Sequence, residues 1–347
     1  MENRAPKVSL IMPAYNAQND IERSVRSVLD QTFRDIELIV INDGSKDNTE
    51  KILLEMAKED PRLRPITTQN GGPAVARNRG LDAVTPGAEY VMFVDADDQL
   101  LPDALEYALE GAKSGADLTI FGFTVVCVDG SQSHYCEPEE FLTPAQLKEA
   151  FPRLYKANIL NGAVTKLYKV ALLQEHGIRF RDYRWGEDRM FVFEYLQKSQ
   201  SIQVLPQCKY LYMMHQGESL ISSFYDKKVQ VCLESDRQVE ELCRTFGVTD
   251  DNVCKYMFAK SIFSCITNLF TPSCKLNAPQ RREYVRAIAR EEQVRRRFQN
   301  IHMGIPTTVL CKVILTGQPW LILPTFWFVT WVGKTAPALF VKIKHKK

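Results

Sequence analysis

The chain has few histidines and no cysteine pair at a metal-binding spacing. Its nine cysteines include no Cys-x-x-Cys pair, and the five histidines add no ligand-like spacing. The pattern argues against structural zinc, and the odd number of cysteines argues against a disulfide framework. We expect reduced thiols. Four cysteines recur every 11 residues, which predicts small apolar core residues on helices: Cys232, Cys243, Cys254 and Cys265.

The sequence also lacks internal repeats, low-complexity segments and an apolar leader. Residues 1–7 are polar and run straight into an apolar segment, so no signal peptide is expected and the N-terminal part is expected in the cytoplasm. With 347 residues and 45% hydrophobic residues, a large core is available and global disorder is excluded. The length suits two domains, or one domain with an appendage.

Acidic residues are scarce in the C-terminal part. From Arg281 onward there are 13 Lys and Arg against 3 Asp and Glu, whereas the preceding residues carry 31 against 39. The net charge of the whole chain, +2, does not show this asymmetry. The basic excess indicates an anionic partner for the C-terminal part. Nucleic acid fits poorly, because glutamates interleave the Arg-rich segment 281–297 and no aromatic stacking surface accompanies it.

Strand-like and helix-like segments alternate over the first 125 residues. Strands are predicted at 8–12, 36–41, 63–67, 90–94 and 117–126, and helices at 17–31, 47–58, 73–83 and after Pro102. The alternation predicts a Rossmann-like three-layer α/β/α domain with a mostly parallel sheet, in which ligands bind at the carboxyl ends of strands. Three parts are predicted: residues 1–225 as this domain, 226–304 as a helical Arg-rich region, and 305–347 as an apolar and basic tail.

No residue from Val313 to Gly333 is charged. Pro319 and Pro324 divide this run, which is barely long enough to span a bilayer. Its tryptophans and the following lysines favour helices lying in a membrane surface. A spanning helix and a buried or oligomer-forming helix are the alternatives.

Three carboxylates follow one buried strand in Asp95-Ala96-Asp97-Asp98. Acids crowded at the end of such a strand need a cation or hydrogen-bond donors. A divalent metal, Mn²⁺ or Mg²⁺, held by one or two carboxylates and substrate phosphates meets this need. Because Asp95 and Asp97 are two residues apart, they share a face, so one suits a ribose hydroxyl and the other the metal.

Polar residues also follow the other strands. The segment after the first strand can hold a nucleobase or form an ordinary turn; it reads Pro13-Ala14-Tyr15-Asn16. Asp43 could accept the N3–H of a uracil ring, or it could stabilise a turn. Arg77 could bind a pyrophosphate, or it could lie on a solvated helix surface. Glu187-Asp188 opens a later helix, where a carboxylate serves as a helix cap or as a general base.

Six spaced motifs in this order resemble the family 2 glycosyltransferases of the GT-A fold, over about residues 8–223. They are Pro13-Ala14-Tyr15-Asn16, Gln31-Thr32-Phe33, Asn42-Asp43-Gly44-Ser45-x-Asp47, Asn70-Gly71-Gly72-x-x-x-Ala76-Arg77-Asn78-x-Gly80-Leu81, Asp95-Ala96-Asp97-Asp98 and Glu187-Asp188. The resemblance implies a nucleotide-sugar site, and its predicted residues are Pro13, Ala14, Tyr15, Asn16, Asp43, Gly71, Arg77, Asp95 and Ala96. It also implies a metal at Asp97 with Asp95, and Asp188, beside Glu187, as the base of an inverting displacement.

Two departures from the family pattern affect what is expected. Where many relatives have an arginine in a flexible loop before a serine, this chain has Met214-His215-Gln216-Gly217-Glu218-Ser219. His215 then either contacts the pyrophosphate or metal, or is a loop residue with no role. Arg184-Trp185 lacks the glutamine of the Gln-x-x-Arg-Trp element of processive synthases, so transfer of one sugar or a short repeat is expected.

The predicted activity is metal-dependent, inverting transfer of a sugar from a nucleotide sugar, most simply a UDP-sugar, to a hydroxyl of a glycan or lipid-linked precursor of a surface polysaccharide. The protein is expected at the cytoplasmic face of the plasma membrane, bound through its tail. A non-catalytic sugar-nucleotide or glycan-binding protein on the same fold is the alternative. A nucleotidyltransferase fits less well, because Tyr15-Asn16 occupies the place of its Gly-rich basic loop.

Overall fold

The structure is a computed structural model that describes residues 4–183, 185–215, 223–299, 301 and 304–335. Its chain forms two compact units, Met1–Gln216 with Arg244–Val248, and Gly217–Cys243 with Thr249–Lys347. The three-part division at residues 225 and 304 stays a prediction.

The first unit contains a mixed sheet flanked by helices. The described strands are β1 (Val8–Ala14), β2 (Ile36–Asn42), β3 (Leu63–Thr67), β4 (Tyr90–Phe93), β5 (Gln99–Leu100), β6 (Leu118–Val126), β7 (Gln132–Tyr135), β8 (Glu140–Leu142), β9 (Lys166–Lys169) and β10 (Ile202–Met213). Its helices are α1 (Ile21–Leu29), α2 (Thr49–Glu59), α3 (Pro73–Asp82), α4 (Ala104–Ala112), α5 (Pro144–Lys156), α6 (Val170–Glu175) and α7 (Glu187–Lys198).

The sheet runs in the order β3-β2-β1-β4-β9-β6-β10-β5. The first four strands of this order are mutually parallel, and β10 is parallel to β6. Strand β9 is antiparallel to both of its neighbours. The expected α/β fold is therefore confirmed, but the sheet is mixed, since four of its strand pairings within the described residues are parallel and five are antiparallel. The carboxyl ends of β1, β2 and β4 lie side by side at one edge.

Alternate residues of the central strands face two different helix layers. Leu10, Leu38 and Met92 belong to the core that contains α1, α2 and α4, whereas Ile39 and Ile41 pack with Ala76 of α3. Such alternation follows from the two-residue period of a strand, and it requires strands that are apolar on both faces. All seven residues of β2 are buried, and five of them are apolar.

The first helix is shorter than the sequence predicted. It begins at Ile21 rather than Ala17, because residues 17–20 form a turn bonded to the loop after β2. The main-chain N–H of Ala17 donates to Thr49 Oγ1 (2.8 Å), and that of Gln18 donates to Asp47 Oδ2 (3.1 Å). These contacts join the loops that follow β1 and β2, and no local sequence pattern predicts them.

The second unit is helical in its described part. Its helices are α8 (Lys228–Phe246, whose last three residues belong to the first unit), α9 (Asn252–Thr267), α10 (Ala278–Arg290), α11 (Glu292–Gln299), α12 (Ile305–Leu315) and α13 (Pro319–Thr335), with a 3-10 helix at Asn268–Phe270. The four regularly spaced cysteines are buried core residues, as expected, and all nine cysteines are free thiols. They lie in two Sγ–Sγ contacts of 3.7 Å, Cys232 with Cys265 and Cys243 with Cys254.

Candidate active site

The candidate site lies at the edge formed by the carboxyl ends of β1, β2 and β4. Tyr15 follows β1, Asp43 follows β2, and Asp95 follows β4 after one intervening residue. Because β1 lies between β2 and β4 in parallel register, these three segments converge although they are far apart in sequence. This is the place where open α/β sheets bind ligands.

The loop after β1 presents one exposed aromatic ring on a fixed backbone. Tyr15 is 52% exposed, whereas Ala14 is buried and its carbonyl accepts the N–H of Asp43 (2.8 Å). Asn16 has a positive φ of 50°, and its Oδ1 accepts the N–H of Lys46 (2.8 Å). Pro13, the last-but-one residue of β1, is only partly buried. The predicted base-binding segment is thus an ordered loop in which the Tyr15 ring is the open surface.

The buried Asp43 carboxylate holds the Gly71-Gly72 turn. It accepts the N–H of Gly71 (2.9 and 3.1 Å) and the N–H of Gly72 (2.7 Å), and Arg79 Nη1 lies 3.4 Å from Oδ1. Gly72, at φ 87°, is the residue before α3, a backbone conformation that favours glycine. Of the two roles that the sequence left open, the turn is the one present in this structure. Binding of a uracil ring stays a prediction.

Arg77 occupies the centre of the site. Its buried guanidinium donates to Asp95 Oδ1 (2.8 Å) and to Glu187 Oε1 (3.3 Å), and it lies 2.9 Å from Asp188 Oδ1. Burial alone would lower the pKa of Arg77, but the three carboxylates raise it above its ordinary value. A solvated helix position was therefore wrong for Arg77. Contact of Arg77 with a pyrophosphate stays a prediction.

The Glu187-Asp188 pair opens α7, as predicted. Gly186, at φ 84°, precedes the helix. Burial and the Asp188 charge raise the pKa of Glu187 to about 7. Burial and the Asp95 charge also raise the pKa of Asp188, while Arg77 and Lys166 oppose that rise. A carboxylate with a raised pKa is a stronger base than a solvated one, and the Asp188 carboxyl still keeps about a quarter of its surface exposed (26%).

Aromatic packing holds the first turns of α7 against β4. Phe191, one turn into α7, stacks on Phe180 at 4.0 Å and meets Phe93 of β4 edge-on at 5.5 Å. The strand that leads into Asp95 and the helix that carries Asp188 therefore share one aromatic cluster. Rigid packing of this kind holds two carboxylates in a set geometry.

Lys166 is a site residue that the sequence analysis missed. It is buried, and its Nζ donates to the carbonyls of Gly162 (2.7 Å) and Val164 (3.3 Å). Burial lowers its pKa to about 7, and the Asp188 carboxylate opposes this shift. Strand β9 reads Lys-Leu-Tyr-Lys, and this pattern does not show which of its two lysines is buried.

Asp97 and His215 form the part of the site best suited to a metal. Asp97 Oδ2 lies 3.4 Å from His215 Nε2, and each side chain is 49% exposed. Burial of the Asp97 carboxyl and the Asp95 charge raise its pKa. Carboxylate and imidazole are suitable Mn²⁺ donors, and an open pair leaves room for phosphate oxygens. No group of three or more His, Cys, Asp or Glu side chains is assembled as a metal site within the described residues.

Asp98 connects the acidic turn, residues 95–98, to β10 through hydrogen bonds. Its buried carboxylate accepts the Tyr210 hydroxyl (2.7 Å) and the N–H of Met213 (2.8 Å). The Tyr210 oxygen also accepts the N–H of Asp95 (3.1 Å). Burial, with the charges of Asp95 and Asp97, raises the pKa of Asp98 to about 8. Asp98 and Tyr210 are therefore positioning residues for the turn.

Two predicted residues contribute no open side chain. Ala96 is buried in the core that contains α1, so its side chain offers no polar atom to a ligand, and its place in the nucleotide-sugar site stays a prediction. Gly71 contributes only its N–H, which Asp43 accepts. Arg184 and residues 216–219, which carry the two departures from the family pattern, lie outside the described residues.

A comparison with known protein families matches the N-terminal part of the chain. The family model described as "Glycosyl transferase family 2" matches residues 9–177, and the N-terminal part of this chain is a family 2 glycosyltransferase domain of the GT-A fold. The expected family is thus confirmed on the segment that contains β1 to β9.

Two curated relatives are similar to part of the chain. Poly(ribitol-phosphate) beta-N-acetylglucosaminyltransferase TarP of Staphylococcus aureus is 30% identical over 61% of this chain and 64% of its own. GalNAc(5)-diNAcBac-PP-undecaprenol beta-1,3-glucosyltransferase of Campylobacter jejuni is 31% identical over 56% of this chain and 61% of its own. Each match spans less than two thirds of the relative's length.

Among solved structures, that of S. aureus TarS residues 1–349 in complex with UDP-GlcNAc superposes with a TM-score of 0.67. It covers 94% of this chain and 91% of the TarS chain, at 20% identity. The resemblance therefore includes the general course of the helical C-terminal part as well as the sheet, and at this identity it shows the fold alone.

Proposed function

We propose that this protein transfers a sugar from a UDP-sugar to a hydroxyl group with inversion at the anomeric carbon. The observation that carries the proposal is the joint pairing of Asp95 and Asp188 with Arg77, at 2.8 and 2.9 Å. It places the carboxylate expected on the donor's ribose beside the carboxylate expected to act as base. A catalytic site needs these two functions within reach of one sugar ring.

Asp188 acts as the base in this proposal. The acceptor oxygen attacks the anomeric carbon, its proton passes to Asp188, and the bond from that carbon to the diphosphate oxygen breaks with its electron pair left on the diphosphate. The raised pKa of Asp188 supports this role, because a more basic carboxylate takes a proton more readily. The charges of Arg77 and Lys166 oppose this rise in the pKa of Asp188 and so favour its ionised form.

The donor is proposed to lie along the edge from Tyr15 to Asp97. The exposed Tyr15 ring suits a base, and Asp95 suits the ribose. Asp97 and His215 would hold a divalent metal, Mn²⁺ or Mg²⁺, which when bound supplies positive charge to the leaving diphosphate. The TarS structure that shares this fold holds UDP-GlcNAc, which supports a uridine nucleotide as the donor.

The acceptor is proposed to be a glycan or a lipid-linked glycan precursor of a surface polysaccharide, reached at the cytoplasmic face of the membrane. The names of the two curated relatives support this class, since one refers to a polyprenyl diphosphate carrier and the other to a poly(ribitol-phosphate). Donor screening with several UDP- and GDP-sugars, read as released nucleotide, identifies the sugar.

The test is Asp188→Asn, with Asp182→Asn as a matched control. Asp182 is an exposed acid six residues earlier, whereas Asp188 lies against Arg77. We expect Asp188→Asn to abolish transfer while calorimetry still detects donor binding, and Asp182→Asn to behave as the parent. Unchanged turnover in Asp188→Asn would refute the base assignment. Loss of donor binding in that variant would show a binding role instead.

A further inference from the structure

Helix α13 carries a continuous aromatic stripe on its outer face. The exposed large side chains are Trp320 (72%), Trp327 (55%), Phe328 (55%) and Trp331 (49%). At about 100° per residue these four positions fall within one face of the helix. Pro324, also exposed, lies in the same face. We call these five residues the aromatic stripe.

The opposite face of α13 packs within the helical unit. Ile322 and Phe326 are fully buried, and the Phe326 ring meets Phe263 of α9 at 5.5 Å. The helix is thus attached by one apolar face and exposes a second. A surface helix normally turns charged residues outward, so an outer face made of three tryptophans and a phenylalanine marks an interaction site.

Helix α12 repeats this arrangement on a smaller scale. Ile305 is 81% exposed and Val309 is 49% exposed, while Cys311 and Ile314 are buried. The next exposed position along the same face is Lys312. Apolar and basic side chains therefore share the outer surface of α12, and none of its exposed positions is acidic.

The charge of this part of the sequence favours one kind of partner. From residue 301 to the end, the sequence contains six lysines and no aspartate or glutamate. A second copy of the same surface would bring like charges together. An anionic lipid surface offers opposite charge over a wide area, together with an interfacial layer in which tryptophan rings are favoured.

Over its described residues, α13 is short for a helix that crosses a membrane. At about 1.5 Å per residue, the 17 residues of α13 reach about 25 Å, less than the ~30 Å hydrocarbon core of a bilayer. Residues 316–318 separate α13 from α12. In the described part of the chain, no helix is both long enough and apolar enough to cross a membrane.

We propose that the aromatic stripe of α13 binds the headgroup region of an anionic lipid bilayer, with the helix axis parallel to the surface. The rings enter the interface, and the exposed Lys312 of α12 supplies a positive charge that suits lipid phosphates. This inference does not depend on the transferase activity, because no candidate active-site residue takes part in it. It would bring the enzyme to a surface where lipid-linked acceptors are found.

The test uses the full chain with vesicles of phosphatidylcholine alone or mixed equally with phosphatidylglycerol. Three of the four tryptophans lie on the stripe, so intrinsic fluorescence reports on it directly. We expect a blue shift with the anionic vesicles, quenching by lipids brominated near the headgroup, and flotation that falls as salt is raised. Asp188→Asn should bind vesicles like the parent, which separates this inference from the proposed catalysis.

The decisive variant replaces Trp320, Trp327 and Trp331 with glutamine. These side chains are exposed, so circular dichroism should show an unchanged fold, while vesicle partitioning should fall at least tenfold. The matched control is Leu54→Gln with Val128→Gln, two exposed apolar residues of the first unit, which should partition like the parent. Equal partitioning of the triple variant, or no partitioning of the parent, would overturn the proposal. A concentration-dependent dimer that the triple variant abolishes, with no vesicle binding by the parent, would assign the stripe to a second copy instead.

Discussion

At the scale of single residues, Arg77 differs most from what the sequence suggested. Local sequence placed it one turn into a helix, where a phosphate contact and a solvated position were equally reasonable. In the structure it pairs with carboxyls that lie 18 and 110 residues further along the chain. The charges of Asp95, Glu187 and Asp188 repel one another, and a buried guanidinium between them offsets that repulsion.

We expect Arg77→Met to destabilise the fold by about 2–3 kcal/mol at pH 8. The loss is below the ~3–5 kcal/mol found when one partner of a fully buried ion pair is removed, because two of the three carboxyls reach solvent. Urea unfolding, followed by tryptophan fluorescence and circular dichroism, measures it. Arg79→Met is the matched control, since Arg79 is on the same helix but a third exposed, and it should cost less than about 1 kcal/mol.

The loss of unfolding free energy in Arg77→Met should become smaller as the pH falls from 8 to 5. The folded-state pKa of Glu187 is already raised to about 7, and removing the guanidinium raises it further. A group with a raised folded-state pKa costs stability above that pKa, and the cost disappears as the group takes up its proton below it. A deficit that stays constant between pH 5 and 8, or that equals the deficit of Arg79→Met, would contradict this account of Arg77.

At the scale of elements, strand β10 controls the geometry of the acidic turn after β4. The sequence showed three acids in a row and gave no reason to connect them with residue 210. The Tyr210 hydroxyl bridges Asp98 Oδ2 and the N–H of Asp95, at 2.7 and 3.1 Å. Side chains that orient metal ligands in this way are as important to a metal site as the ligands are.

We expect Tyr210→Phe to weaken Mn²⁺ binding in the presence of UDP by about tenfold, with the fold retained. The reason is that the Asp95 N–H and one Asp98 oxygen lose their common partner, so the turn that carries Asp97 is no longer fixed. Electron paramagnetic resonance of free Mn²⁺ gives the affinity. Tyr212→Phe, two residues further along the same strand and partly exposed, should bind Mn²⁺ like the parent. Equal affinities in the two variants would show that the bridge does not position the turn.

At the scale of the whole molecule, two compact units share one chain, and the candidate site lies in the first. A ligand that binds only folded protein stabilises the unit that holds it. Thermal unfolding therefore reports donor binding without any knowledge of the acceptor, and it distinguishes a site that needs a metal from one that does not.

We expect UDP and Mn²⁺ together, at about 100 times the dissociation constant, to raise the melting temperature of the first unit by about 5 °C, since such saturation adds ~2.7 kcal/mol. UDP alone should raise it less. Differential scanning calorimetry measures the shift. Asp97→Asn should lose the metal-dependent part, and Asp129→Asn, an exposed acid in the turn between β6 and β7, should keep it. The same shift with and without Mn²⁺ would argue against a metal at Asp97.

Much of the first unit was predictable because its signals are local. The limits of β3 match the prediction, and those of β1, β2, β4 and α3 differ by one or two residues at most. Apolar runs, turn residues and helix starts each depend on a few neighbouring residues, so the α/β order and the position of acids at strand ends could be predicted. The partners of those acids could not, because contacts between residues 77 and 187, or 98 and 210, have no local signature.

By itself, the sequence determined the fold class, the edge of the sheet where the site lies, and the absence of charge from 313 to 333. Only the tertiary structure decided which acids surround Arg77, that Lys166 is buried beside Asp188, and which face of α13 is exposed. The physical reason is the same in each case. Charge compensation and burial depend on the neighbours that folding brings together, and a helix that is apolar all round has no pattern to show which side will pack.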